Sequence, residues 1–187
     1  MRDADALSVR LPLRSEEGFG LIELLIAMVI LNVGLLALVA AFQSGATALK
    51  RASRISNAAT LAESQMELYR ALPYTQLVLD TGAVAATDNT YRCDPTLGAS
   101  CPNTTSSLIT ATCTTPLQDS CVPTRVVSGP DQYTYRIDSY IVAYTVPPSG
   151  GISAREQRRI AIIVRDAAQP TRVLAREVST FDKSTAG

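Results

Sequence analysis

Histidine and tryptophan are absent from the 187 residues, and aromatic side chains of every kind make up only 5%. Without histidine, the chain lacks the commonest general base at neutral pH and the commonest ligand for transition metals. Net charge is missing as well. Seventeen Lys and Arg balance seventeen Asp and Glu, so no global field points to nucleic acid or to an acidic substrate. Cysteine is scarce, and the four present, Cys93, Cys101, Cys113 and Cys121, are separated by seven, eleven and seven residues. No pair has the short gap of a zinc knuckle or of a redox motif. Ser44, Ser53 and Ser56 have no acid–base companions nearby in sequence, so nucleophilic catalysis has no candidate. The residues point to no active site, no cofactor and no metal.

Proline is also lacking over a long interval, from Pro12 to Pro73. Inside that interval lies an apolar run, Phe19–Phe42 (FGLIELLIAMVILNVGLLALVAAF), interrupted by one acid, Glu23, and one amide, Asn32. As a helix it would measure about 36 Å, enough to cross a hydrocarbon layer of about 30 Å. The residues before it, 1–18, mix Arg2, Arg10 and Arg14 with Asp3, Asp5, Glu16 and Glu17. A secretory signal would place a small-residue cleavage site behind a shorter apolar core. Here the small residue of interest, Gly18, stands in front, so the apolar segment is expected to stay with the mature chain.

Helical spacing continues beyond Phe42. Ala52, Ile55, Ala59, Ala62, Met66 and Tyr69 recur at three- and four-residue steps, with charged residues on the other faces. This predicts one helix from about Phe19 to Leu72, apolar all round in its first half and on one stripe in its second. Pro73 ends it. From Leu77 to about Pro130 the chain is rich in Thr, Ser, Asp, Asn and Pro, and reads as loops with short strands near Leu108–Cys113 and Pro123–Val127.

Then the period becomes two. Tyr133, Tyr135 and Ile137 alternate with Thr134, Arg136 and Asp138, and Tyr140–Val146 follows as a mostly apolar run. Residues 147–151 (PPSGG) form a turn, and Arg159–Arg165 and Arg172–Ser179 add two strands. Short links between consecutive strands imply an antiparallel meander. One face of it should take the helix stripe, giving an α+β fold. The tyrosines are sheet packing, and the basic cluster Arg155, Arg158 and Arg159 reads as a solvated strand end.

Four cysteines in such a segment suggest two disulfides and an oxidising compartment. Short loops favour Cys93–Cys101 with Cys113–Cys121, and the nested and crossed pairings stay open.

The stretch Gly18–Ile26 (GFGLIELLI) resembles the processing site of type IV prepilins and type II secretion pseudopilins. The resemblance implies cleavage between Gly18 and Phe19 by a membrane prepilin peptidase, which also methylates the new amine of Phe19. It implies that Glu23, fifth in the mature chain, registers subunits during assembly by pairing with a neighbour's terminal amine. An ionisable group within an apolar run costs at least about 2.5 kcal/mol unless partnered, so a partner is expected on physical grounds too. The implied organisation is a cytoplasmic leader (residues 1–18), a long helix (19–75, spanning the membrane over 19–42) and an extracytoplasmic β-rich head (76–187).

Implied partners are the peptidase/methyltransferase, other pilin subunits and an inner-membrane assembly platform. The implied location is the bacterial inner membrane, single-pass with a cytoplasmic N-terminus, and a filament after assembly. There are departures from the pattern. Gly20 follows the Phe where Thr is common, Glu16-Glu17 precede the cut where leaders are commonly basic, and the apolar segment has no proline. Val29–Leu38 and Leu61–Tyr74 look most like V-type minor pilins and I-type minor pseudopilins, so a minor pilin is the expectation. A type II secretion pseudopilin and a non-polymerising anchored binding ectodomain stand as alternatives.

Overall fold

The structure is a computed structural model that describes residues 20–98, 107–146 and 155–183. The chain divides into two compact units, residues 1–47 and 48–187. Helix α1 (Leu21–Arg70) begins in the first unit and ends in the second. Leucine, alanine and isoleucine favour it, and no proline removes a hydrogen bond from its interior. Arg70 places a cation in the last turn, where the carbonyl ends point. The expected span reached two residues further at the C-terminal end, and Phe19 lies outside the described residues.

Within the second unit, α1 buries Ala58, Ala62, Gln65, Met66 and Tyr69. The expected stripe is therefore correct at Ala62, Met66 and Tyr69 and wrong before them. Ala52 and Ala59 are exposed, and Ile55 keeps 44% of its surface. Two polar residues turn the helix away from the apolar prediction. Gln65 donates to the Asp119 carbonyl (3.2 Å) and accepts from Arg125 Nη2 (2.7 Å). The Arg54 guanidinium lies 4.0 Å above the Tyr133 ring. Hydrophobic spacing carries no information about such partners.

After a 3-10 turn at Tyr74–Gln76 come β1 (Leu79–Asp80), α2 (Thr81–Ala85), α3 (Asn89–Arg92) and a second 3-10 turn, Pro95–Leu97. The loop region expected here thus holds more structure than its composition suggested. Strand β2 (Thr110–Ala111) pairs parallel with β1. Strands β3 (Thr124–Ser128), β4 (Thr134–Val146), β5 (Arg155–Asp166) and β6 (Val173–Asp182) then form one antiparallel sheet in sequence order. That is the meander and the α+β class read from the alternation. The turn expected at 147–151 lies outside the described residues.

Register identifies the two faces, because residues directly opposite on neighbouring strands share a face. Ile137, opposite Arg125 and Val164, lies on the side from which Arg125 reaches Gln65 of α1. Ile162, opposite Ser139 and Glu177, lies on the same side, and Glu177 pairs with Arg70 at 3.5 Å. That face, with Ile137, Ser139, Ile141, Ile160, Ile162 and Val164, meets the helix.

The other face is also covered, which alternation alone did not foresee. Arg136 and Asp138, polar members of the alternating pattern, are 6% and 0% exposed. The α2–α3 segment lies over them. Tyr91 stacks on Tyr140 with ring centroids 4.3 Å apart. The Tyr91 hydroxyl donates to the Ser139 carbonyl at 2.6 Å, and that of Tyr140 to the Tyr91 carbonyl at 3.2 Å.

Three aspartates hold this cover, and each has two jobs. Asp80 caps α2 by accepting from Ala83 N (2.8 Å), while its second oxygen accepts from Cys113 N (3.1 Å). Asp88 caps α3 through Tyr91 N (3.0 Å) and takes a two-pronged ion pair from Arg136. Asp94 caps the second 3-10 turn through Thr96 N (2.8 Å) and pairs with Arg165. N-capping aspartates satisfy amides that a helix leaves open. Here the free oxygen of each also fixes the capped turn to another part of the head. Asp138 sits at the centre, accepting from Arg136 Nε (2.8 Å), Arg165 Nε (2.8 Å) and Thr124 Oγ1 (2.9 Å).

Candidate processing and assembly site

Glu23 lies in the first turn of α1, and its backbone amide donates to the Gly20 carbonyl at 2.9 Å. An acid there faces the amide-rich, electropositive end of the helix. Its neighbours are bare, with Leu21 81%, Ile22 69% and Leu24 53% exposed. None of the candidate membrane-spanning window within Leu21–Arg70 is buried. Large apolar side chains from Leu21 to Phe42 therefore stand free of any protein contact that would shield them. A helix apolar all round needs lipid or other helices about it.

The other polar group in the run is partly satisfied within the helix. Asn32 Nδ2 donates to the Met28 carbonyl one turn earlier, at 2.9 Å. Such local bonds let an amide tolerate an apolar setting. Glu23 is thus the one ionisable side chain of the apolar run, and among the described residues its carboxylate has no ion-pair partner. Gly18 and Phe19, the expected cleavage residues, lie outside the described residues.

The cysteine positions divide the same way. Cys113 and Cys121 form a disulfide, with Cα atoms 6.5 Å apart and a sequence separation of eight. Cys93 is disulfide-bonded as well, while Cys101 lies outside the described residues. The Cys113–Cys121 bridge closes the loop that enters β3, and the Cys113 amide is held by Asp80. Among the described residues, no cluster of three or more His, Cys, Asp or Glu is placed to hold a metal ion.

Of the basic cluster, Arg158 proves to be structural rather than a solvated strand end. Its Nη1 donates to the carbonyls of Tyr74 (2.7 Å) and Leu77 (2.8 Å), and its guanidinium lies 4.4 Å over the Tyr74 ring. It fastens the segment that leaves α1 to β5. No feature of the local sequence separates it from Arg159, which is exposed.

Neither the curated proteins nor the solved structures yield a significant match to this chain. Residues 13–39, however, match the family model described as the prokaryotic N-terminal methylation motif. That segment contains Gly18, Phe19, Glu23 and most of the bare apolar run. The match supports the type IV pilin and pseudopilin family broadly. It indicates a pilin- or pseudopilin-like substrate of prepilin peptidase.

Proposed function

We propose that the protein is a minor pilin, cleaved between Gly18 and Phe19, methylated on Phe19, and built into a type IV pilus or used to prime one. The observation that carries the reading is the methylation motif lying on a helix whose apolar side chains are left uncovered. The α+β head that follows, with its disulfide, suits export to an oxidising space. On this reading residues 1–18 are a cytoplasmic leader and the helix waits in the inner membrane with the head outside. Glu23 then pairs with the terminal amine of a neighbour in a medium of low dielectric constant, where such attraction is strong.

Mass spectrometry of the mature protein tests the first step. The expected N-terminus is methylated Phe19, and an intact Met1 or a cut after Ala41 would overturn the reading. Glu23→Ala tests the second, with processing expected to continue and incorporation into filaments to fail. If Glu23→Ala leaves function intact, a membrane-anchored binding protein that never polymerises is the better description. A secretin and exoprotein genes beside this one would move the assignment to a type II secretion pseudopilus.

A further inference from the structure

Lys50, Ser53 and Arg54 from α1 face Asp131, Gln132 and Tyr133 of the β3–β4 connection across an open pocket of about 300 Å³. Lys50 and Arg54 are one turn apart, and Arg51 lies beside them. Like charges at that spacing repel and destabilise a helix. Among the described residues, no carboxylate forms an ion pair with Lys50, Arg51 or Arg54. The pocket also holds one acid, Asp131, which accepts from Tyr133 N (3.3 Å) and from the Tyr135 hydroxyl (2.8 Å) and stays a carboxylate. Arg54 is held over the Tyr133 ring, which fixes one cation at the pocket wall without neutralising it. With two cations against one carboxylate, the pocket carries an excess of one positive charge, positioned by the fold.

Its place in the sequence selects the anion. Lys50 follows Phe42, the last residue of the apolar run, by eight positions in the same helix. Side chains on a helix tilt toward its N-terminus, and lysine extends its amine to the polar boundary of a bilayer. A layer of phosphate groups begins where the hydrocarbon ends.

We infer that the Lys50–Arg54–Tyr133 pocket binds the phosphate of an anionic phospholipid headgroup while the subunit is in the membrane. The inference rests on the proposed membrane stage of the protein.

Lysine occurs only at positions 50 and 183, which supplies a probe with an internal control. The full-length protein is placed in single-copy nanodiscs of phosphatidylcholine with or without phosphatidylglycerol. Amine-reactive labelling of each lysine is then read by mass spectrometry. Lys50 should label about fivefold more slowly with phosphatidylglycerol, the ratio equivalent to one cation's attraction to an anionic surface, with Lys183 unchanged.

Arg54→Gln should restore most of the rate, and Arg51→Gln, outside the pocket, should not. Ser53→Trp fills the pocket from the exposed helix surface and serves if Arg54→Gln misfolds. Equal Lys50 rates in both lipids, or equal effects of Arg51→Gln and Arg54→Gln, overturn the proposal. Protection by inorganic phosphate in phosphatidylcholine discs would make this a free-anion site. Protection that needs two copies per disc would assign it to a neighbouring subunit. A protein that does not enter discs at all sinks the membrane reading itself.

Discussion

Asp138→Ala should be among the most damaging single substitutions in the head, and the structure allows its cost to be bounded. Asp138 is 0% exposed and accepts three hydrogen bonds, two of them from guanidinium groups. The side chains of Arg136 and Arg165 are themselves only 8% and 5% exposed. Removing one partner of a buried ion pair costs about 3–5 kcal/mol, because the charge left behind cannot recover water. Both arginines retain a second acid, Asp88 for one and Asp94 for the other, which places the loss near the lower end, about 3–4 kcal/mol.

For a head of this size a loss of that order lowers Tm by about 10 °C. Unfolding of the full chain in detergent micelles can be followed by near-UV circular dichroism of its seven tyrosines. Tyr91 and Tyr140, stacked beside the cluster, report on it directly. Asp138→Asn, which keeps the shape but removes the charge, should lose less. A shift below about 3 °C for the alanine variant would refute the reasoning, since 3 °C corresponds to about 1 kcal/mol here. The arginines would then be relaxing into water rather than remaining trapped.

Acid should loosen the same cover. The hydrogen bonds from Arg136 hold the Asp88 carboxyl down from 3.8 to about 2. A depressed folded pKa contributes stability that is present above pH 3.8 and lost as pH falls through about 2. Asp80 is lowered as well, by the amides of Ala83 and Cys113. Hydrogen exchange at Tyr91 should therefore accelerate between pH 4 and 2 beyond its intrinsic pH dependence, and Asp88→Asn should abolish that excess. Cys113→Ser with Cys121→Ser should cost about 2.5 kcal/mol, the loop-closure entropy for their separation of eight, measured by urea unfolding with and without reductant. Arg158→Ala should cost about 1.5–3 kcal/mol, because two carbonyls lose a charged donor. Arg159→Ala, on the same strand but exposed, should fall within about 0.5 kcal/mol of wild type.

The periodic parts of this chain were readable because their physics is local. Period two from Tyr133 to Ile137 marks a strand whether or not its neighbours are known. Freedom from proline up to Pro73 marks a helix in the same way. The Cys113–Cys121 bridge followed from the shortness of its loop. The second cover of the sheet was not readable. Its helices α2 and α3 have five and four residues, too few for a period to emerge.

The ion pairs that hold this cover join residues 48 and 71 positions apart, and nothing in an arginine's neighbourhood announces which distant acid it will meet. For the same reason Arg136 resembled a residue facing solvent, and Arg158 a member of a surface cluster. Gln65, outside the apolar stripe read from the sequence, is buried beside it. Of the candidate site, Glu23 was legible as a charge out of place. Its partner was not, because no residue within the described chain supplies one.

Glu23 and the head network put charge among apolar groups by opposite means. In the head, Asp138 is buried only because two arginines and a threonine of the same chain surround it, so the head is complete as a single molecule. The apolar helix is not. Its large side chains are uncovered over the whole candidate span, Asn32 is neutral and bonds one of its donors within the helix, and among the described residues Glu23 has no counter-charge. Hydrocarbon can cover the leucines but offers a carboxylate nothing to pair with, whereas a bundle of like helices can do both if each brings a free terminal amine. On the proposed function, a single acid in the first turn would therefore distinguish the two surroundings by energy, and would favour the assembled one only once processing had created that amine.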